Sequence, residues 1–295
     1  MSKAKQLRNL LNNPGLIMVA GAHDGISAKI AENKGFNAIW ASGLGISASA
    51  TVPDESILTM TEFLQAAVIM NESTNIPVIA DCDSGFGSVN NVIHMVKKYE
   101  SMGIAGICIE DKVFPKKNSF DAREQKMVTT EEFCSKIYAA KASQKSKDFV
   151  VIARTEALIA GLDMDEALSR ANKYVEAGAD AILIHSRSNK ADEILEFTSK
   201  WTNGVPIVVV PTKYPSITTE VLKEVGIKMS IYANQALRAS IRNMEMVLQQ
   251  IIEDGSSKSV EDKISTIEEV FNLQNVNEMK VLENKYTFRK EKVIN

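Results

Sequence analysis

Eight short apolar runs, separated by longer stretches of helical period, fill the chain from its N-terminus almost to residue 252. They are LIMVAGAH (16–23), AIWASG (38–43), PVIADCD (77–83), AGICIED (105–111), FVVIARTEA (149–157), AILIHS (181–186), PIVVVPT (206–212) and MSIYAN (229–234). Between them lie amphipathic segments such as NNVIHMVKKYESM and MDEALSRANKYVEA. This alternation is the pattern of repeated strand–helix units around a parallel sheet. An internal regularity supports the count. In KGFNAIW, MGIAGIC, AGADAIL and VGIKMSI a glycine (Gly35, Gly103, Gly178, Gly226) ends a helix just before runs two, four, six and eight. Runs one, three and seven are introduced instead by proline, in NNPGLIMV, TNIPVIAD and NGVPIVVV.

Eight such units with short connections and no Pro/Gly/Ser-rich linker favour one closed (β/α)8 TIM barrel over two doubly wound domains. Residues 1–295 are therefore expected to form a single domain, with a C-terminal helical extension over about 236–295. From about residue 253 the chain reads as further helix (VEDKISTIEEVFNLQ) and a polar tail, expected to pack on the barrel or on another subunit.

With 295 residues, 45% hydrophobic and 24% charged, the chain can bury a sizeable core. A net charge near -3 gives no footprint for nucleic acid or an anionic membrane. No apolar run approaches the roughly 20 residues that span a bilayer. The start, MSKAKQLRNLLNNPG, lacks the apolar core and cleavage site of a secretory signal, so the expected location is the cytoplasm. Cys82, Cys108 and Cys134 are too few and too scattered for a disulfide framework or a thiolate metal site, and they read as small buried hydrophobes.

In a parallel barrel the C-terminal strand ends converge on one mouth, where the chemistry sits. Those ends supply Ser42-Gly43-Leu44, Asp81 and Asp83, Glu110-Asp111-Lys112, Arg154 and Glu156, His185, and Thr212-Lys213. Asp81 and Asp83 are two apart on a strand, so both are expected on one side, and Gly85-Phe86-Gly87 lets the backbone turn away. With Glu110 they make a three-carboxylate set without histidine or thiolate, which suits a hard cation, Mg²⁺ above all. The plainer alternative is a salt-bridge network with Arg154 or Lys112. Gly85 and Gly87 do not open a helix in the pattern of a dinucleotide fingerprint.

A divalent cation beside Arg154, His185 and the Ser42-Gly43-Leu44 turn would receive a small, multiply negative substrate. Turn N–H groups, the guanidinium fork and an imidazole donor all suit a phosphate or carboxylate. His185 also has a plain alternative as a satisfied strand-end histidine, and His23 and His94 read as structural. The charge-dense stretch EDKVFPKKNS (110–119) would by itself be a solvated loop; its place after the fourth run puts it at the mouth.

Taken together, GAHDGISAKI, IWASGLGISAS, DCDSGFGS, EDKVFPKKNS, VIARTEA, ILIHS, VVVPTKYP, IYANQALRAS and VEDKISTIEEVF resemble the phosphoenolpyruvate mutases of the isocitrate lyase superfamily over nearly the whole chain. The most specific element is Glu110-Asp111-Lys112, five residues, then Asn118-Ser119. The resemblance implies a barrel whose eighth helix is exchanged with a neighbouring subunit, and a homotetramer built from such dimers. It also implies a Mg²⁺ site and the interconversion of phosphoenolpyruvate with 3-phosphonopyruvate, which opens phosphonate biosynthesis. In those terms Asp81 would bind Mg²⁺, with Asp83 and Glu110 holding its waters. Trp40, Ser42, Gly43 and Leu44 would line the pyruvyl portion, and Arg154 and His185 would take the phosphoryl group. Asp54, in TVPDES, would be a phosphoryl acceptor or an orienting group. Lys116, Asn118 and Ser119 would lie on a mobile gate, stiffened by Pro115, that excludes water.

Carbon–carbon lyases of the same superfamily carry a Lys-Lys-Cys-Gly-His stretch with a catalytic cysteine where this chain reads FPKKNSF. Phosphonopyruvate hydrolase resembles the chain more closely but has threonine where Asn118 stands. A reading of a different class is a non-catalytic binding protein on the same barrel.

Overall fold

The computed structural model describes residues 1–287. The chain divides into two compact units, Met1–Arg238 and the residues from Ala239 on. The first unit opens with α1 (Lys3–Asn12) and then alternates strand and helix: β1 (Ile17–Ala22), α2 (Gly25–Asn33), β2 (Ala38–Ala41), α3 (Gly43–Ser49), α4 (Met60–Ser73), β3 (Val78–Asp81), α5 (Val89–Ser101) and β4 (Gly106–Glu110). It continues through α6 (Thr130–Ser143), β5 (Val150–Thr155), α7 (Met164–Glu176), β6 (Ala181–Ile184), α8 (Asp192–Lys200), β7 (Ile207–Val209), α9 (Thr219–Glu224) and β8 (Met229–Tyr232). All strand pairs are parallel, each strand bonds to the next, and β8 returns to β1, closing an eight-stranded barrel. All eight apolar runs are strands.

Local chemistry sets the element ends. Asp24, Thr59, Thr129, Asp163 and Thr218 each accept an N–H in the first turn of the helix they precede. The four glycines of the internal repeat all have positive φ, as helix-terminating residues do. One close approach admits nothing larger than glycine: a Cβ on Gly21, in β1, would lie 1.9 Å from the carbonyl oxygen of Ala233 just beyond β8.

Alternate residues of each strand face two different cores. Val19, Trp40, Ile79, Cys108, Ile152, Leu183, Val208 and Ile231 belong to one cluster inside the barrel, and Leu7 and Leu11 of α1 join it. The polar N-terminal segment is thus an amphipathic helix packed on the barrel interior. Ile39, Ala80, Ile107, Val151, Ile182 and Val209 face the helices in the larger cluster. Ile152 and Leu183 are fully buried, and burial of such a side chain contributes about 1.5–3 kcal/mol. Two residues further along the inward-facing series stand Asp81, Glu110, Arg154 and His185, so the parity that fills the core also aims the polar residues at the mouth.

α10 (Gln235–Asp254) begins in the first unit and carries the chain into the second, which also holds α11 (Ile267–Leu273) and α12 (Val276–Tyr286). The helix expected over VEDKISTIEEVFNLQ starts only at Ile267, because Thr266 and Glu269 form a reciprocal capping box there. The expected polar tail is helical as far as Tyr286, since Val276, Met279, Leu282 and Tyr286 recur at helical spacing; its residues 288–295 lie outside the described residues. Among the described residues no helix is long and apolar enough to cross a membrane.

Candidate active site

The strand ends meet in a narrow cavity of about 50 Å³ lined by Trp40, Ser42, Leu44, Asp54, Asp81, Lys116, Asn118, Ser119, Arg154 and His185. Ten of the thirteen residues given a site role in the sequence therefore share one site. The other three stand behind the wall: Gly43 donates its N–H to Asp81 Oδ2 at 3.3 Å, Asp83 pairs with Lys116, and Glu110 with Arg154. The wall is completed by Phe120, Val210, Thr212, Ala233 and Asn234. Thr212 was among the strand ends already named, and Ala233 and Asn234 close the eighth apolar run; Phe120 carries no sequence signal of its own. A larger groove of about 730 Å³ has its walls on α5, α6 and α7, away from the strand ends.

Two local structures build the floor. The Ser42-Gly43-Leu44 turn is the start of α3, where Ser42 Oγ accepts the Gly45 N–H. After β3 the chain leaves the strand: Asp83 has φ 49, Gly85 φ 89 and Phe86 φ 58. Asp81 and Asp83 thus do not share a side through the strand pleat. Asp83 is turned inward by a left-handed backbone, a conformation that asparagine and aspartate tolerate best among side-chain-bearing residues. The buried Lys136 of α6 braces this bend by donating to Ser84 O at 3.0 Å.

The EDKVFPKKNS stretch is not a solvated loop. Its base closes where Lys112 bridges Met127, and Lys112, Lys116 and Ser119 are buried. Lys116 Nζ lies between Asp54 Oδ1 (2.8 Å) and Asp83 Oδ1 (3.0 Å). Asn118 Nδ2 donates to Asp54 Oδ2 at 2.8 Å, while its Oδ1 accepts the Phe120 N–H at 3.0 Å; one amide both caps a turn and fixes Asp54. Arg123 pairs with Glu55 on the facing loop. The Phe114–Pro115 peptide is cis.

Burial would raise the Asp54 carboxyl, but the Lys116 ammonium and the Asn118 amide outweigh it and hold the group below its ordinary range. For Asp81, which opens onto the cavity, burial dominates and pushes the carboxyl up to about 7; Asp83 shifts upward for the same reason. Lys116 is driven well above its usual value because its four carboxylate neighbours overcome burial. His185 is lowered by burial and by Arg154, which favours the neutral ring. Arg154 Nη2 and Glu156 Oε1 both lie against His185 Nδ1, at 2.7 and 2.8 Å, while Nε2 is buried without a protein partner. Glu156 Oε1 also accepts from Arg154 Nε at 2.5 Å.

Phe120 packs edge-on to the His185 ring at 5.5 Å. Ser119 Oγ has no capacity left for a substrate in this arrangement. It donates to Glu156 Oε2 at 2.5 Å and accepts from Lys112 and Arg154 at 2.7 and 2.9 Å. Cys82 and Cys108 are buried, their thiols pushed well up by burial, and Cys134 is half-buried and likewise raised.

The expected three-carboxylate cage is not preformed. Among the described residues no group of three carboxylate, imidazole or thiolate side chains is arranged to hold a metal ion; of the expected set, Asp83 is paired with the Lys116 ammonium and Glu110 with Arg154. The residues nonetheless suit Mg²⁺, which keeps several waters and needs only one or two carboxylates. With every carboxyl ionised, five carboxylates (Asp54, Asp81, Asp83, Glu110, Glu156) face three cations (Lys112, Lys116, Arg154), an excess of two negative charges that a bound cation would offset. Glu110 Oε1 accepts no hydrogen bond, and its nearest recorded cation, Lys112 Nζ, is 3.8 Å away.

The family description Phosphoenolpyruvate phosphomutase matches residues 7–252. The chain is 42% identical to a phosphoenolpyruvate phosphomutase of Tetrahymena pyriformis, over 96% of this chain and 95% of that one. It is 44% identical to a phosphonopyruvate hydrolase of Variovorax sp. (strain Pal2), over 97% and 99%. Among solved structures, phosphoenolpyruvate phosphomutase from Streptomyces platensis subsp. rosaceus superposes with a TM-score of 0.95 at 48% identity, covering 96% of this chain and 99% of that one. A phosphonopyruvate hydrolase complexed with oxalate and Mg²⁺ gives 0.92 at 42% identity, covering 97% and 99%. With the barrel closed, the charged loop folded over its mouth and both comparisons spanning the chain, this protein is an enzyme of the phosphoenolpyruvate phosphomutase family.

Proposed function

We propose that the enzyme interconverts phosphoenolpyruvate and 3-phosphonopyruvate, moving a phosphoryl group between the enol oxygen and C3 of one molecule and so opening phosphonate biosynthesis. The observation that carries this reading is Asn118, seated on Asp54 in a cavity with room for only a few waters. An intramolecular transfer needs attack by water suppressed, and the buried Lys116 with the half-buried Asn118 would fill the side from which water enters.

Phosphoryl transfer asks the protein mainly for position and for charge around the equatorial oxygens. Arg154 supplies a planar fork, and His185 presents its unpartnered Nε2. Trp40, Ser42 and Leu44 enclose the small pyruvyl part. Asp54, held ionised by Lys116, stands ready as phosphoryl acceptor or orienting group. Asp81 would hold Mg²⁺, with Asp83 and Glu110 on its waters; the ion would neutralise substrate charge. The large apolar side chains exposed along residues 241–286, among them Met244, Leu248, Ile252 and Phe271, support the exchange of a C-terminal helix between subunits and a homotetramer of such dimers. The three free thiols accord with the cytoplasm.

Hydrolysis of phosphonopyruvate to pyruvate and phosphate is the second reading, favoured by the hydrolase relative at 44% identity. Phosphorus NMR of the enzyme with phosphonopyruvate and Mg²⁺ separates the two. Phosphoenolpyruvate is expected; free phosphate as the main product makes the enzyme a hydrolase, and an unchanged spectrum makes it a binding protein. In Asn118→Thr, where a shorter side chain leaves room for water, the share of free phosphate is expected to rise. An unchanged product ratio refutes the role given to Asn118.

A further inference from the structure

We propose that Glu156 is a positioning residue that couples the 112–119 loop to the Arg154–His185 pair, so that the phosphoryl-binding groups are aligned only while the loop is seated. The inference rests on reading Arg154 and His185 as the groups that bind the phosphoryl end.

Glu156 follows β5 and is fully buried, and it lines no part of the substrate cavity. Its two oxygens serve opposite sides. Oε1 takes Arg154 Nε at 2.5 Å and lies 2.8 Å from His185 Nδ1. Oε2 takes Ser119 Oγ at 2.5 Å and Lys112 Nζ at 3.0 Å, and Lys112 holds the loop again through Lys117 O at 2.9 Å. The Glu156 N–H is pinned to Asp111 Oδ1 at 2.9 Å, which fixes the base of the side chain. A carboxylate is planar and rigid, so a turn that frees Oε2 from the loop also turns Oε1 away from the guanidinium.

A purely stabilising role would not require this arrangement. Buried ion networks bear a desolvation penalty that well-packed apolar groups avoid, and they are weak stabilisers for that reason. The distribution of partners, two from the loop and two from the phosphoryl-binding pair, is what a coupling element needs. Lys112 sharpens the test, because it too lies outside the cavity lining and reaches Arg154 and His185 through Glu156 and Ser119.

The test compares the intact chain with Glu156→Gln, Lys112→Met and the double variant. Two measurements need no turnover: tryptic cleavage after Lys116, Lys117 and Arg123, followed by mass spectrometry, and the dissociation constant of phosphonopyruvate with Mg²⁺ present. Each single variant is expected to speed cleavage and to weaken binding together. Both effects should be on the order of tenfold or more, the scale of one charge-assisted hydrogen bond. The double variant should be no worse than the worse single one, since both act through one link. Faster cleavage with unchanged binding, weaker binding with unchanged cleavage, or simple additivity overturns the coupling. Should Glu156→Gln fail to fold, Lys112→Met carries the test alone, because it leaves the Arg154 and His185 contacts of Glu156 in place. If the enzyme neither isomerises nor hydrolyses phosphonopyruvate, the proposed reaction fails while cleavage and binding still decide the coupling.

Discussion

Replacing Arg154 with lysine keeps the charge and removes the fork. The guanidinium works in two directions: Nε faces Glu156 Oε1 at 2.5 Å and Glu110 Oε2 at 3.2 Å, while its outer nitrogen reaches Ser119 Oγ at 2.9 Å and His185 Nδ1 at 2.7 Å. An ammonium is a point donor and cannot span both ends. Drawn to the carboxylates, it no longer reaches His185 and Ser119 and presents nothing planar to a phosphoryl group. One lost charged hydrogen bond corresponds to roughly 1.5–3 kcal/mol, so kcat/KM should fall by about 10- to 150-fold. The assay is initial-rate turnover of phosphonopyruvate at saturating Mg²⁺, with thermal melting as a check on the fold, which should hold because Glu110 and Glu156 keep a cation. Catalytic efficiency within about threefold of the parent, less than the 1.4 kcal/mol that a tenfold change represents, would remove Arg154 from the reacting centre.

Asp81→Ala is expected to abolish turnover and Mg²⁺ affinity together; titration calorimetry showing near-normal Mg²⁺ binding would rule out its role as ligand. Gly21→Ala forces a Cβ to within 1.9 Å of the Ala233 carbonyl oxygen, backbone against backbone. Overpacking of this kind costs about 1–3 kcal/mol or more, and a urea midpoint indistinguishable from the parent would show that β1 and the end of β8 are not so close. Tyr174→Phe removes the hydroxyl that donates to Asp111 Oδ2 at 2.6 Å, leaving a buried carboxyl with one partner fewer. A loss of roughly 1–3 kcal/mol in denaturant unfolding is expected, and an unchanged midpoint would mean that the bond contributes nothing net.

The barrel was legible because strand chemistry and strand period agree. Ile79, Cys108, Ile152 and Leu183 face inward, and the same count of two leads from them to Asp81, Glu110, Arg154 and His185. What the period could not reveal lies where the backbone departs from it. Asp83 enters the site through a left-handed residue after the strand has ended, and that geometry depends on the bend around Gly85 and the brace from Lys136. Lys116 was read as a lid residue; its pairing with Asp54 and with Asp83, one carboxylate of the expected cation set, follows from the path of a whole loop. Glu156 was visible as a strand-end carboxylate, but its four partners come from three separate segments. Phe120 reaches the wall from a loop whose course no local pattern encodes.

The closing pair of the barrel joins its first strand to its last, with Ile17 against Met229 and Ala20 against Tyr232. A contact so remote in sequence forms against a large loop-closure entropy, and topologies rich in such contacts fold slowly. Until β8 arrives, β1 presents an unpaired edge, the form in which strands invite mispairing. The cavity takes Trp40 from early in the chain and Thr212, Ala233 and Asn234 from late in it, so it exists only once the ring has closed. In a refolding experiment the helical signal should therefore return first, and enzymatic activity should lag behind it with the rate of ring closure.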